Sequence, residues 1–576
     1  MSRSKFLNVC LILVVSVIGV RLFYIQIIQH SEWTAKAEAR HTLENTIVAE
    51  RGDIYMMDES HPTAVVLNET VYSVIVDPML TDEEKAKETV EKYAKDNIVA
   101  KWDDVFKDKT MRYYVVAKNV SRKNAEAIMK EEVHGIWFQE NNKRVYPEGE
   151  MASELLGFVN ADGEGQYGTE GAFNKELSGK NGLLKTVTDV NRVALSIGND
   201  NIRMPAVDGD NIVLTIDRNI QRKIEKILAD KVNNSVATHA SAIVMNPNNG
   251  KVLAMANVPN YNPADYGNVK DASAYQNNVL EGAYEPASVC KTFTFAAAID
   301  LGVMSPETTY YNAGKMTVDG LTFVNAYRGK LGEINMQTAL NYSLNTGSAT
   351  ALKLISGGNF TQDGRQKLYD YYYNRFGLGE YTGVELYEVP GHVPAPDEYD
   401  YTMDYTYANL TFGQGLNVTM AQVAAAASSI VNGGFYYEPT VLAGKMVNGE
   451  FVPAESKNYV RKTVSETTSN TMRAMLYGTR NSRRLYGIDK AGYYVGGKTG
   501  TAQVIQKDGK YSDAMGETIA SYVGFGGTEG ELPEYLIMVK IWGEGKHLEG
   551  ERDAMPLFDS ISNYLQTYLK IKPKGQ

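Results

Sequence analysis

The chain opens on an apolar run, residues 6–28, interrupted by charge only at Arg21. About 20 apolar residues span a bilayer as a helix. Arg21 can snorkel to the interface while Leu22-Phe23-Tyr24-Ile25 extends the run, so one transmembrane helix is expected. Downstream the pattern shortens. Val71-Tyr72-Ser73-Val74-Ile75-Val76 reads as a strand, and the charges of Asp82-Glu83-Glu84-Lys85-Ala86-Lys87 as the solvated face of a helix. Two apolar runs, Ala240-Ser241-Ala242-Ile243-Val244-Met245 and Val252-Leu253-Ala254-Met255-Ala256, flank Asn248-Asn249-Gly250-Lys251 and predict a hairpin. Thr292-Phe293-Thr294-Phe295-Ala296-Ala297-Ala298-Ile299 predicts a buried helix with Pro286 in its first turn. Met336, Ala339 and Leu340 keep helical spacing. A strand is expected around residues 493–505, a hairpin-like pair over 519–525 and 535–542, and a final helix over 555–569. Strands and helices are mixed, and the expected fold class is α+β.

Arg3 and Lys5 precede the apolar run, so the positive-inside rule leaves residues 1–5 in the cytoplasm and exports the rest. The alternative is a cleaved signal peptide, with Ala35-Lys36-Ala37 as a cleavage site well beyond the apolar core. Residues 30–235 then read as a non-catalytic pedestal and 236–572 as a second, larger domain. With 576 residues there is room for more than one core. A net charge of −11 argues against nucleic acid or an anionic membrane surface as the main partner. The two cysteines, Cys10 and Cys290, lie in the apolar run and the buried helix, so no disulfide is expected. The seven histidines show no paired ligand spacing, so no metal is expected. The 38 tyrosines read as half-buried strand and loop positions, with sugar-stacking rings as the alternative.

Chemistry enters at Glu285-Pro286-Ala287-Ser288-Val289-Cys290-Lys291. Positions i and i+3 share a helix face, so Ser288 and Lys291 would be neighbours. A serine beside an amine is a nucleophile–base pair that needs no histidine. About one or two Ser-x-x-Lys matches arise by chance in such a chain, and Ser2-Arg3-Ser4-Lys5 is one. Two further motifs discriminate. Ser343-Leu344-Asn345 follows a helix that could project both side chains into a cleft, whereas Ser456-Lys457-Asn458 sits in a polar, turn-like stretch. Lys498-Thr499-Gly500-Thr501 places a cation and two hydroxyls along a strand edge, suited to an anionic carboxylate. Cys290, two residues after Ser288, faces away from the Ser–Lys side and reads as a packing residue.

In the order Ser-x-x-Lys, Ser-x-Asn, Lys-Thr-Gly, these motifs resemble those of penicillin-binding proteins. The resemblance to the class B, monofunctional members covers nearly the whole chain. It extends through Arg21-Leu22-Phe23-Tyr24-Ile25-Gln26, Arg51-Gly52-Asp53-Ile54-Tyr55, Arg144-x-Tyr146-Pro147, Gly157-Phe158-Val159 and Gly168-Thr169-Glu170-Gly171. It continues in Leu214-Thr215-Ile216-Asp217 with Gln221, and in Phe412-Gly413-Gln414-Gly415 with Thr419, Gln422 and Asn432-Gly433-Gly434. Ala287 stands where the family usually has glycine, Cys290 where it often has Phe or Met, and Tyr342 where a serine is common.

The resemblance implies a penicillin-binding transpeptidase, serine β-lactamase-like fold: an antiparallel sheet flanked by helices, a pedestal and one membrane helix. It implies a peptidoglycan D,D-transpeptidase, with Ser288 acylated by a stem peptide and D-Ala released. Lys291 would be the base and Ser343 a proton relay, while Asn345 would hold the substrate amide. Lys498, Thr499 and Thr501, with Gly500 between them, would form the carboxylate site. Backbone N–H groups of Ser288 and Thr501 would supply the oxyanion hole. No cofactor is implied. The implied partners are stem peptides, β-lactams as covalent inhibitors, and a membrane glycosyltransferase of the shape, elongation, division or sporulation family. Rival readings are a β-lactamase, a D,D-carboxypeptidase, and a non-enzymatic scaffold or β-lactam sensor. The membrane helix and long pedestal speak against a β-lactamase, and a sensor would be expected to carry further apolar spans.

Overall fold

The structure is a computed structural model that describes residues 2–33, 42–107, 111–187, 202–326, 329–398, 402–482, 489, 491–504, 511–512 and 516–574. Ala35-Lys36-Ala37 lies outside the described residues. The chain forms two compact units: Met1–Gly52, Thr70–Asn142 and Ser178–Gly209 in one, and Asp53–Glu69, Lys143–Leu177 and Asp210–Gln576 in the other.

The first unit begins with the helix Arg3–Phe23, which runs on as a wider turn over Tyr24–Ile28. Arg3–Ile28 is long and apolar enough to cross a membrane, with a mean hydropathy of 2.5 and none of its apolar window buried in protein. A helix that is apolar all round and unburied needs an apolar medium around it. Farther along, residues 71–76 pair antiparallel with Tyr114–Ser121. The helices Glu83–Ala94 and Arg122–Lys130 share a core with these strands through Val74, Val90, Val116 and Ile128. Each helix starts where the sequence supplies a cap: Asp82 accepts from Lys85 N–H and Ser121 from Asn124 N–H.

The second unit holds a five-stranded, wholly antiparallel sheet in the order Val252–Val258, His239–Met245, Tyr535–Trp542, Thr518–Thr528, Tyr493–Gln503. Both hairpins expected from the sequence are present, and the first turns at Gly250 with φ +75°. Alternation along Tyr535–Trp542 divides two cores. Tyr535, Ile537, Val539 and Ile541 pack with the helices Arg218–Asn233 and Met555–Tyr568. Leu536 and Met538 face the other way, into a larger core built on Lys291–Asp300, Asn345–Ile355, Met420–Val431 and Glu466–Ser482. All twelve residues of Met420–Val431 are buried, as befits a helix with no polar face. This is the implied fold: a mixed α/β domain with an antiparallel sheet covered by helices.

Three motif residues that the sequence offered singly meet within this unit. Arg144 Nε donates to Glu170 Oε1 at 2.7 Å and Arg144 Nη1 to Asn68 Oδ1 at 2.9 Å, with Asp53 Oδ1 at 3.9 Å. The Arg144 and Glu170 side chains are 6% and 0% exposed, so the charges are worth little apart. Arg144→Met should therefore destabilise the protein by about 3–5 kcal/mol, the scale of stranding one buried charge. Arg144→Met with Glu170→Leu should recover much of the loss. Thermal unfolding of the two variants beside the parent checks both outcomes.

Candidate active site

The segment holding Ser288 departs from the sequence reading in one respect. Ser288 lies in a 3-10 turn, Ala287–Cys290, and the α-helix starts only at Lys291. Pro286 caps this turn and does not open the helix. The cause is Ala287, held at φ +47°, a conformation that glycine enters freely and alanine does not. Ala287 N–H donates to Gly413 O at 3.1 Å. A methyl on Gly413, itself at φ +84°, would lie 2.0 Å from Ala287 O. The turn is seated on that glycine.

Lys291 is fully buried, and its Nζ sits 2.8 Å from each of Ser288 Oγ, Ser343 O and Asn345 Oδ1. Burial, then the charge of Lys498, pushes its pKa well below the ordinary lysine value. A neutral amine has two N–H donors and one lone pair. Two of the three short contacts are to carbonyl-type acceptors, Ser343 O and Asn345 Oδ1, so the lone pair is left for the Ser288 hydroxyl. The arrangement fits an amine that takes the serine proton.

Ser343 occupies the turn between the helices Met336–Asn341 and Asn345–Ile355 at φ +54°. Ser343 and Leu344 N–H groups donate back to Leu340 O and Ala339 O at 3.0 and 2.9 Å, which holds that turn. Ser343 Oγ is 3.2 Å from Lys291 Nζ and 2.9 Å from Lys498 Nζ, and so bridges the two amines. Asn345 is fixed by its other end, Nδ2 donating to Val324 O at 2.9 Å.

Lys498 lies on the edge strand Tyr493–Gln503, 2% exposed, donating also to Thr499 O and Oγ1 at 3.0 and 3.3 Å. Gly500 is where this strand meets the Ser288 turn: a methyl there would lie 2.4 Å from Ser521 Oγ and 2.8 Å from Pro286 O. Thr501 Oγ1 accepts from Gly550 N–H at 3.0 Å. Ser288, Lys291, Ser343, Asn345 and Lys498 thus converge, with Thr499, Gly500 and Thr501 following along the same strand edge. The other Ser-x-Asn does not join them: Ser456 and Asn458 are exposed in an irregular segment. Cys290 is buried, and burial pushes its thiol pKa up, away from a nucleophilic thiolate.

Two further groups went unread. Glu285 Oε1 accepts from Gly415 N–H at 2.8 Å and from Tyr511 O–H at 2.9 Å, with its pKa raised by burial. Lys540, on the central strand, is pushed down to about 7 by burial. Its Nζ donates to Gly282 O at 3.1 Å and lies 4.8 Å from the Tyr284 ring. Both groups brace the segment leading into Ser288. The only local signals were a charge beside Pro286 and a lysine on the inward side of an apolar strand.

Residues 240–563, more than half of the chain, match the penicillin-binding protein transpeptidase domain, and residues 46–214 match the penicillin-binding protein dimerisation domain. The chain is similar to stage V sporulation protein D of Bacillus subtilis, 29% identical over 99% of this chain and 87% of that protein. It is also similar to the peptidoglycan D,D-transpeptidase FtsI of Escherichia coli K12, 29% identical over 80% of this chain and 73% of that one. Among solved structures, the peptidoglycan synthetase of Bifidobacterium adolescentis shares the fold, with a TM-score of 0.72, 21% identity, and coverage of 93% of this chain and 98% of that one. With a dimerisation domain ahead of a transpeptidase domain, the chain belongs to the class B penicillin-binding proteins.

Proposed function

We propose that this protein is a peptidoglycan D,D-transpeptidase that works through an acyl-enzyme on Ser288. The observation that carries the reading is the placement of Lys291 Nζ, 2.8 Å from Ser288 Oγ and with two other short acceptors already in reach. Ser288 Oγ attacks the carbonyl between the two terminal D-alanines of a stem peptide, and its proton passes to Lys291. The tetrahedral oxyanion is held by the N–H groups of Ser288 and Thr501, a device worth on the order of a hundredfold per donor. Ser343 relays a proton to the leaving nitrogen, the C–N bond breaks, and D-Ala departs as the free amino acid. An amine of a second stem peptide then attacks the ester and gives its proton to Lys291. Ser288 leaves with a proton, and the cross-link is made. Lys498, Thr499 and Thr501 bind the terminal carboxylate beside Gly500. Asn345 has a dual part, steadying Lys291 through Oδ1 and the substrate amide in the complex.

Residues 1–5 serve as a cytoplasmic tail, 6–28 as a single-pass anchor, 30–235 as the pedestal and 236–572 as the catalytic domain. The catalytic domain then stands outside the bacterial membrane, beside a partner glycosyltransferase that polymerises the lipid-linked precursor.

Incubation of the full chain with a fluorescent penicillin, followed by peptide mass mapping, tests the nucleophile. A lasting adduct on the peptide holding Ser288 is expected. A transient adduct with rapid drug hydrolysis would instead support a β-lactamase. Stem-peptide pairs separate the remaining readings. Cross-linked product with one D-Ala released per bond is the expected result, release without cross-links would mean a carboxypeptidase, and neither product a scaffold.

A further inference from the structure

A second concavity, within the second compact unit, has no part in that chemistry. It encloses about 570 Å³, within the range of small-ligand sites. Two tyrosines line it, Tyr167 and Tyr387, and they are 43% and 68% exposed. Tyr167 is held there at a cost. Its backbone has φ +56° and ψ 172°, a region almost confined to glycine that costs about 1–3 kcal/mol for other residues. Its ring is backed by Phe158 and Tyr275, with centroids 5.9 and 5.2 Å away. These two neighbours pack against the ring and still leave the residue 43% exposed.

The charge of the lining narrows the ligand. Among the described residues no lysine or arginine lines the cavity, which leaves phosphates and carboxylates without a cation in its wall. Three glutamates do face it, yet they make a poor cation trap. Glu385 is paired with Lys457 at 3.1 Å. Burial raises the pKa of Glu154 well above the carboxylate norm and that of Glu281 above its usual value. Glu154 Oε1 is buried with no hydrogen-bond partner among the described residues, and Glu281 Oε1 accepts from Asn277 N–H at 2.9 Å. Flat aromatic faces beside carboxyl groups suit an uncharged ring with an apolar face and hydroxyl edges.

We propose that this cavity binds a neutral pyranose sugar, stacked on Tyr167 and Tyr387 with its hydroxyl and amide groups turned toward Glu154 and Glu281. In naming the natural ligand as the N-acetylated glycan strand of peptidoglycan, the proposal rests on the transpeptidase reading; the sugar site itself does not. Its place would be to hold the strand while the attached stem peptide reaches Ser288.

Triacetylchitotriose is the probe, titrated calorimetrically against the full chain in lipid nanodiscs, since a maltoside micelle would offer competing sugars. Saturable binding near millimolar affinity is expected. Tyr387→Ala and Tyr167→Gly should each weaken it about tenfold, the scale of one lost stacking ring. Tyr387→Ala, at a residue 68% exposed, should leave the unfolding midpoint nearly unchanged while it weakens binding, which separates the ring's role from folding. Penicillin acylation, measured on the same samples, should stay within about twofold, and its failure would count against the Ser288 chemistry alone. No saturable binding by the parent, or equal binding by both variants, overturns the sugar site. So does trilysine binding that depends on Tyr387 while the sugar does not bind.

Discussion

Lys291→Met should slow acylation by a penicillin roughly 10²–10⁴-fold, the range for loss of a positioned general base. Ser288→Ala should give no adduct at all. An amine accepts a proton only when it is neutral. Full burial first, and the Lys498 charge second, hold Lys291 well below the usual lysine value. Its reactive form is the neutral amine, so the acylation rate should rise with pH through that lowered pKa and then level off. In Lys291→Met the rise disappears. Lys498→Met removes the second cause, so the rising limb should move to higher pH while affinity for the drug carboxylate also falls. Lys291→Arg separates a base from a structural cation. Guanidinium stays charged at any working pH, so it can donate to Ser343 O and Asn345 Oδ1 and yet cannot take the serine proton. Acylation by folded Lys291→Arg at near the parent rate would sink the base assignment. Stopped-flow acylation over pH 5–10, with thermal midpoints as folding controls, gives every outcome.

How much of this was legible in the sequence depends on the distance between partners. Elements written in a local pattern were readable: the hairpin around Gly250, the alternation along residues 535–542, the buried helix after Lys291. Ser288 and Lys291 are three apart, so their adjacency holds for either a 3-10 or an α turn. The difference lies in Ala287, whose positive φ is set by Gly413, far along the chain. The departure at Ala287 was visible as a residue standing where the family usually has glycine; its strain was not. Glu285 finds its partners 130 and 226 residues away. Asn345 meets Lys291 across 54. Arg144 and Glu170 stand 26 apart and the former reaches Asn68 across 76. Such pairings follow from tertiary packing, which no local period encodes. Lys540 makes the same point from the energetic side. Alternation shows which way its side chain points, but its low pKa comes from complete burial, a property of everything packed over the sheet.

Gly413→Ala should cut acylation about a hundredfold, although Gly413 carries no functional group. Two costs coincide at this residue. Its φ of +84° strains any residue with a Cβ, and that Cβ would lie 2.0 Å from Ala287 O and 2.6 Å from Ala287 C and N. The clash is with backbone, so it cannot be relieved by rotating a side chain. The Ala287–Cys290 turn must move, and Ser288 with it. Misplacement of a reacting atom by about 1 Å costs on the order of 10²-fold. Gly415→Ala is the matched control. Gly415 has nearly the same φ, +82°, but a methyl there meets only Leu410 Cδ2 at 3.8 Å. Its N–H still serves Glu285 Oε1. It should therefore show the backbone cost in its unfolding midpoint while acylating within a few-fold of the parent. Equal acylation rates in the two variants would mean that the turn tolerates displacement, and that Ser288 owes its position to Lys291 and the helix behind it instead of to the glycine beneath Ala287.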